Sequence, residues 1–317
     1  MKVKSRLLFL SILLIILAAL YLIWGLNPNN WNYALPRRMM KLISIFLVGS
    51  CIAFSTTVFQ TITNNRILTP SVLGLDSLYM FIQTFVVFIF GSTLLIELGS
   101  HFNFIASVGL MVVFSILLFK FFFSKDKNTI FSLLLFGVIL GTFFQSLTSF
   151  MQVLMDPNEF LVVQNRMFAS FNNINEDILY MAILGAVATL IYILKYTREL
   201  DVISLGRDSA INLGVKYTSF VKRMFIVIAI LVSVSTALVG PITFLGLIVV
   251  NINRQILNTY KHKYLIPGSM LIGSIMLIGG QLIAERIMHF KTPISVIINF
   301  IGGVYFIYLI LKEGRLS

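Results

Sequence analysis

An all-α, polytopic membrane protein of about ten transmembrane helices is the fold class this 317-residue sequence predicts, and three observations carry that reading. Hydrophobic residues make up 58% of the chain and charged residues 11%, with a mean hydropathy of +0.95, a balance that needs the bilayer as solvent. The apolar residues gather into runs near the roughly 20 residues that cross about 30 Å of hydrocarbon. The basic residues sit at the ends of those runs, most of them on alternate connections.

The spans fall near 7–25, 39–62, 74–93, 103–123, 130–154, 177–196, 219–239, 241–256, 264–287 and 294–312. The first follows Lys2, Lys4 and Arg6. Its run from Leu7 to Trp24 is longer than the apolar region of a signal peptide and no small-x-small cleavage site follows, so it reads as a retained helix. The second and seventh are rich in small and hydroxyl residues (Gly49, Ser50, Ala53, Ser55, Thr56, Thr57; Ser233, Ser235, Thr236, Ala237) and run in opposite directions, a pattern compatible with an inverted repeat. The eighth is short and starts at Gly240-Pro241, which reads either as a helix break or as a tight turn; a break is tolerated only where protein covers the freed backbone. Asp156 to Glu176 mixes Phe160, Leu161, Val162 and Val163 with polar residues and is expected to lie along the interface. Ten spans put both termini on one side. With that side cytoplasmic, the outer face keeps only Arg37, Arg38, Lys41, Arg166, Arg286 and Lys291 of the 24 basic residues. Residues 1–317 read as a single transmembrane domain.

The same residues exclude several functions. The net charge of +12 forms no solvated stripe with interleaved aromatics, so nucleic acid is not a partner; anionic membrane lipid is. Cys51 is alone, which rules out an intrachain disulfide. His101, His262 and His289 lack metal-ligand spacing and read as loop or interface residues; Met151 and Met155, one turn apart, read as helix packing. There is no phosphate-binding Gly-x-x-x-x-Gly-Lys-Ser/Thr, no His-Glu-x-x-His and no Gly-x-Ser-x-Gly. Acids and bases are missing from the spans except near their ends, which argues against a proton- or sodium-coupled carrier, and no clustered residues suggest an intramembrane enzyme. No cofactor is expected in this chain; the energy has to come from a partner.

One densely charged island, Lys195 to Arg223, holds nine of the 36 charged residues and lies between two apolar runs. Within it, Gly206-x-x-x-Ala210-x-x-Leu213-Gly214 spaces small residues to share one helical face, which suits close docking of a soluble protein.

The segment Leu205 to Val215, followed by Val239-Gly-Pro-Ile-Thr-Phe-Leu-Gly-Leu-Ile248 and Arg254, resembles the FecCD family of ABC-transporter permeases, which import iron–siderophore, haem and cobalamin complexes. The resemblance runs over nearly the whole chain: Ala34-Leu-Pro-Arg37, Asn65-Arg-Ile-Leu-Thr-Pro-Ser-Val-Leu-Gly74, Leu135-Phe-Gly137, Leu265-Ile-Pro-Gly268 and Thr292-Pro-Ile294 fall in the family's order. Where most members read Asn-Pro-Leu-Ala this chain has Asn65-Arg66-Ile67-Leu68, and it has Val250-Asn251 for Pro-His and Thr243 for Gly. That wording is similar to the branch serving catecholate-type ferric siderophores. Ala34 stands where the family's Arg-Leu-Pro-Arg begins.

The resemblance implies the fold of the vitamin B12 and iron–siderophore permeases. It also implies a dimer of cytoplasmic ATPase subunits that consumes ATP, a second FecCD-like permease (a paralogue or an identical copy) and an extracytoplasmic siderophore-binding protein. By the same resemblance, residues of about 197–218 form the coupling region, with Gly206, Arg207, Asp208, Ala210, Leu213 and Gly214 meeting the ATPase; Ala210→Glu would then uncouple transport without harming insertion. Arg37 and Arg286, with Arg38 beside them, are implied to meet carboxylates of the binding protein; lipid-headgroup contact is the competing reading of Arg38. Asn65, Ile67, Thr129 and Ile130 match an inner gate. Ser55, Thr56 and Gln60 either face the conduit or serve helix packing. Haem or cobalamin stands as the alternative cargo, and a secondary carrier as the alternative class.

Overall fold

In the computed structural model of the chain, which describes residues 3–26, 31–97, 99–123, 130–172 and 174–313, all regular elements among the described residues are helical. They are α1 (Val3–Ile23), α2 (Trp31–Thr63), α3 (Leu75–Glu97), α4 (Gly99–Phe123), α5 (Ile130–Leu154), α6 (Pro157–Met167), α7 (Glu176–Leu194), α8 (Thr197–Ile203), α9 (Arg207–Asn212), α10 (Tyr217–Val239), α11 (Leu245–Leu257), α12 (His262–Leu282) and α13 (Ile294–Glu313). A 3₁₀ turn, Pro70–Leu73, precedes α3, and a π turn, Ile283–Ile287, extends α12.

Nine helices among the described residues are long and apolar enough to cross a membrane, and the tenth expected span is the 13-residue α11. At 1.5 Å per residue α11 is about 20 Å long, short of the roughly 30 Å of hydrocarbon. The missing length is the unwound stretch 240–244, so Gly240-Pro241 is a break and not a tight turn. Its backbone is covered as a membrane requires: the Ser170 amide donates to the Val239 carbonyl at 2.8 Å, and the Phe244 amide to Asn299 Oδ1 at 3.4 Å.

Three helices form the centre. In their most apolar windows α2, α10 and α12 have 78%, 67% and 61% of residues buried, against 11% for α1, which identifies α1 as lipid-facing. The central helices carry the small and hydroxyl residues for a steric reason. A Cβ on Gly273 would stand 2.7 Å from the Gly49 carbonyl oxygen, and one on Gly49 2.9 Å from the Ser274 amide, so only glycine permits this separation of α2 and α12. The hydroxyls of Thr57 and Ser269 bond across the same seam at 2.9 Å. Against the other side of α2, Phe59 meets Phe225 of α10 edge-on, at 6.0 Å.

Two contacts orient the bundle. Arg6 on α1 donates to the Ile256 carbonyl at the end of α11 at 2.6 Å, and Tyr21, at the other end of α1, donates to Glu285 at 3.1 Å. One end of the bundle therefore gathers Arg6, Thr63, α8, α9 and His262, and the opposite end gathers Tyr21, Arg38, the 168–175 loop and Glu285.

Several expectations change. α2 begins at Trp31 and not near 39, and it runs through Pro36 in its second turn at the cost of one backbone hydrogen bond. α3 breaks at Gly91, and Glu159 of α6 closes the break, accepting from the Ser92 amide at 2.8 Å and its hydroxyl at 3.0 Å. Neutralising that acceptor by Glu159→Ala should lower the thermal midpoint measurably while Glu159→Gln, which keeps one acceptor oxygen, lowers it less. The 156–176 stretch does not simply lie along the interface: α6 is half exposed, but the loop after it turns inward and buries Ala169 and Phe171 completely.

The interior is not free of acids either. Residues 66–74 turn back into the bundle, so α3 starts inside it and Asp76 lies in a small cavity lined by Ile52, Thr56, Thr69, Ser71, Thr236 and Thr243 among others, accepting from Thr236 at 3.3 Å. No histidine, lysine or arginine lines that cavity. A lone acid without a proton relay still falls short of a coupled carrier's core.

Candidate functional site

The first part of the site is the charged island. α8 and α9 hang below the start of α10 because their apolar residues turn upward: Leu200, Ile203 and Ala210 are fully or almost fully buried and share one apolar cluster with Phe220 and Val221. The face left outward is apolar too. Leu205 is 64% exposed, Ile211 48% and Leu213 63%, and Arg207 and Asp208 beside them in the chain are exposed as well. An apolar centre with a charged rim is the anatomy of a docking patch.

The glycines of this motif serve a different end from the one their spacing suggests. Gly206 caps α9 with φ at 99° and Gly214 follows it with φ at 86°; a Cβ on either would meet nothing within 4 Å. They set the turns into and out of α9 and lie outside it, so Gly206, Ala210 and Gly214 do not share one face of a single helix. Ala210 is 0% exposed inside the chain's own cluster, so Ala210→Glu would strike the local fold before any partner felt it. Leu213 is the residue that tests docking cleanly.

The second part is a cavity of about 480 Å³ beside α8, lined by Gln60, Asn65, Arg66, Ser204, Arg254 and His262 among others. Its polar rim is ordered from within. The Gln60 amide donates to the Arg66 carbonyl at 2.8 Å, Asn251 donates to the same carbonyl at 3.1 Å, and Asn65 Oδ1 accepts from the Ile67 amide at 2.9 Å. Asn65 is exposed and Ile67 half-buried at this mouth. Of the other two gate residues, Thr129 lies outside the described residues and Ile130 begins α5. Ser55 and Thr56 are 0% and 1% exposed, Thr56 bonding back to the Ile52 carbonyl and lining the small cavity of Asp76; of the three, Gln60 reaches the 480 Å³ cavity.

The third part lies at the opposite end. Arg38 wraps the C-terminus of α1, donating to the carbonyls of Leu22 (2.8 Å), Trp24 (2.9 Å) and Gly25 (3.2 Å), and Arg286 donates to Trp24 as well. Cations at a helix C-terminus answer its unpaired carbonyls and its dipole. Glu285 gathers Tyr21, Gln281 (2.8 Å) and Lys41 (3.4 Å) beneath them. Arg37 differs: it is exposed, with its guanidinium 4.2 Å over the Tyr33 ring. Beside this cluster opens a cavity of about 690 Å³ lined by Asn103, Arg166, Phe171, Asn172, Gln281 and Phe290 among others.

With this geometry in view, comparison with known proteins is decisive. The model of the FecCD transport family matches residues 6–312. The chain belongs to the FecCD family. Among FecCD relatives, the petrobactin import system permease protein YclO of Bacillus subtilis is 55% identical over 315 residues, covering 99% of both chains. The petrobactin import system permease protein FatC of Bacillus anthracis is 36% identical, over 88% of this chain and 79% of its own. A solved structure described as an inward-facing metal-chelate type ABC transporter superposes with a TM-score of 0.86 at 24% identity, covering 98% of this chain and 100% of its own, which shows the fold. This FecCD chain is thus a multi-span membrane permease of a bacterial import system.

Sequence reasoning missed one FecCD residue here. His262 is not a loop or interface residue but is 2% exposed, bonded to Asp201 and Thr61. His101 and His289 do sit in exposed positions, His101 3.6 Å from Asp177. The only hint in the sequence was that His262 lies two residues before the predicted span 264–287, close to a helix terminus whose unsatisfied amides need partners.

Proposed function

We propose that the chain is the transmembrane permease subunit of an ABC importer that carries a ferric siderophore of catecholate type across the bacterial cytoplasmic membrane. The observation that carries this reading is the 55% identity, end to end, with a permease named for petrobactin import. Energy comes from a separate pair of ATPase subunits that bind the Leu205–Ile211–Leu213 face, and this chain itself hydrolyses nothing. Both termini lie in the cytoplasm, as the excess of basic residues on that side supports. A second FecCD-like permease, paralogous or identical, completes the pathway, and an extracytoplasmic binding protein delivers the chelate to the Glu285 end.

The outer arginines divide the docking work. Arg38 and Arg286 hold α1 in place, and Arg37, which makes no carbonyl contact of that kind among the described residues, is the cation that meets a carboxylate on the binding protein. Arg37→Glu is expected to weaken binding-protein affinity about tenfold or more without changing thermal stability, read by titration of the detergent-solubilised importer.

The cargo is tested by deleting the gene and supplying labelled ferric petrobactin, haem or cobalamin. Loss of ferric petrobactin uptake alone supports the reading; loss of haem or cobalamin uptake instead replaces the cargo. The carrier reading is tested at Asp76: Asp76→Asn leaves ATP-driven uptake within about twofold of wild type at every pH if no proton is coupled.

A further inference from the structure

The inner cavity contains a hydrogen-bonded bridge joining three separate parts of the chain. Asp201 sits on α8, in the island proposed to meet the ATPase. Its Oδ1 accepts both from the His262 backbone amide and from the His262 ring Nδ1, each at 2.7 Å. The other ring nitrogen, Nε2, is 2.8 Å from the Thr61 hydroxyl on α2. His262 is 2% exposed and Thr61 4%, while the Asp201 side chain keeps 29% exposure, so the bridge is shielded at its α2 end and meets solvent at its α8 end. Thr61 adjoins Gln60, whose amide holds the Arg66 carbonyl in the 64–67 gate segment.

The chemistry makes this bridge stiff. A carboxylate that accepts from the first amide of α12 satisfies one of the four unpaired amides at that helix terminus, so α8 is fastened to backbone as well as to a side chain. Asp201 can only accept, so Nδ1 carries a proton; the Thr61 hydroxyl, 2.8 Å from both Nε2 and the Thr57 carbonyl, gives its one proton to Nε2, or gives it to that carbonyl and accepts from Nε2 when the ring is doubly protonated. Either way the imidazole spans from coupling region to gate helix with two short bonds. A rigid flat ring fits a strut better than a flexible chain would.

We propose that His262 is a positioning residue that couples α8 to the gate: movement of α8 is passed through Asp201 and the His262 ring to Thr61, and so to the inner end of α2. This rests on the reading of α8–α9 as the ATPase-docking region. Without the bridge, α8 would still bind its partner, and ATP would be hydrolysed with less cargo moved.

The test is the number of ferric petrobactin molecules transported per ATP hydrolysed, in proteoliposomes holding the complete importer and its binding protein, with thermal midpoints measured alongside. Thr61→Val removes the hydroxyl at nearly constant volume, and should lower the transport-to-ATP ratio by about three- to tenfold, the worth of one such hydrogen bond, with ATPase activity retained. Thr61→Ser, which keeps the hydroxyl, should restore the ratio. His262→Asn, able to reach Asp201 but not Thr61, should behave as Thr61→Val does. A wild-type ratio in Thr61→Val and His262→Asn overturns the strut, and so does an equal loss in Thr61→Ser, which keeps the hydroxyl and would assign the effect to side-chain shape at this position. Leu213→Glu separates the two ideas: if that variant transports normally the docking reading fails, whereas normal Thr61→Val with an inactive Leu213→Glu removes the strut alone.

Discussion

Leu213→Glu is expected to leave the chain folded and membrane-inserted and to abolish capture of the ATPase. Leu213 is 63% exposed and lies two residues from Ile211 on the outward face of α9, so the substitution disturbs no buried neighbour. In the proposed assembly the ATPase would cover that leucine, and burying it would contribute about 1–2 kcal/mol at the usual coefficient for apolar area. A glutamate there forfeits that gain and adds the cost of stripping water from a carboxylate inside an apolar contact. Together these reach the range of an interface hot spot, roughly 2 kcal/mol or more, equivalent to about 30-fold in affinity. The measurement is co-purification of the ATPase with tagged permease. Arg207→Ala, on the rim, should cost far less, because a solvated charge at an interface edge contributes little. Equal loss from both would mean that the contact is electrostatic and the apolar centre is misassigned.

Gly273→Ala is expected to be the most destabilising single-methyl change in α12, and Gly279→Ala on the same helix to be neutral or mildly stabilising. The added methyl at residue 273 would stand 2.7 Å from the Gly49 carbonyl oxygen, a backbone atom that cannot rotate aside. At residue 279 a methyl meets nothing within 4 Å. Overpacking of this kind costs roughly 1–3 kcal/mol, and here the only relief is separation of α2 from α12, the two helices that carry the gate and the bridge. The exposed site gains helix propensity instead, at most about 1 kcal/mol. The paired thermal midpoints of the detergent-solubilised variants decide it; equal shifts would show that the seam is not close-packed.

The spans were legible because hydropathy is a local property: the reading of 130–154 matches Ile130–Leu154, and 294–312 matches Ile294–Glu313 within a residue. Boundaries failed where polar residues join a helix, as in α2, whose first turns hold Pro36, Arg37 and Arg38. The site was legible as a place and less so as geometry. Spacing located α9 but misread its glycines, since a positive φ leaves no mark in a helical-wheel count. The roles of Arg38 and Arg286 were hidden because their partners are the carbonyls at the end of α1, which for Arg286 lie 262 residues away along the chain. Asp201, His262 and Thr61 likewise come from three segments, and no local pattern joins them. Asp76 looked like a residue at the end of a span because nothing in 65–74 announces that the chain turns back inward.

On the proposed function, this permease moves its chelate only when a separate ATPase drives it. The direct measurement is uptake of labelled ferric petrobactin into proteoliposomes containing the permease pair, the ATPase and the binding protein, with and without ATP and with imposed proton and sodium gradients. Uptake is expected to require ATP, to vanish with an ATPase mutated in its phosphate loop, and to be indifferent to either gradient. Uptake that persists without the ATPase, or that follows a proton or sodium gradient, would contradict it.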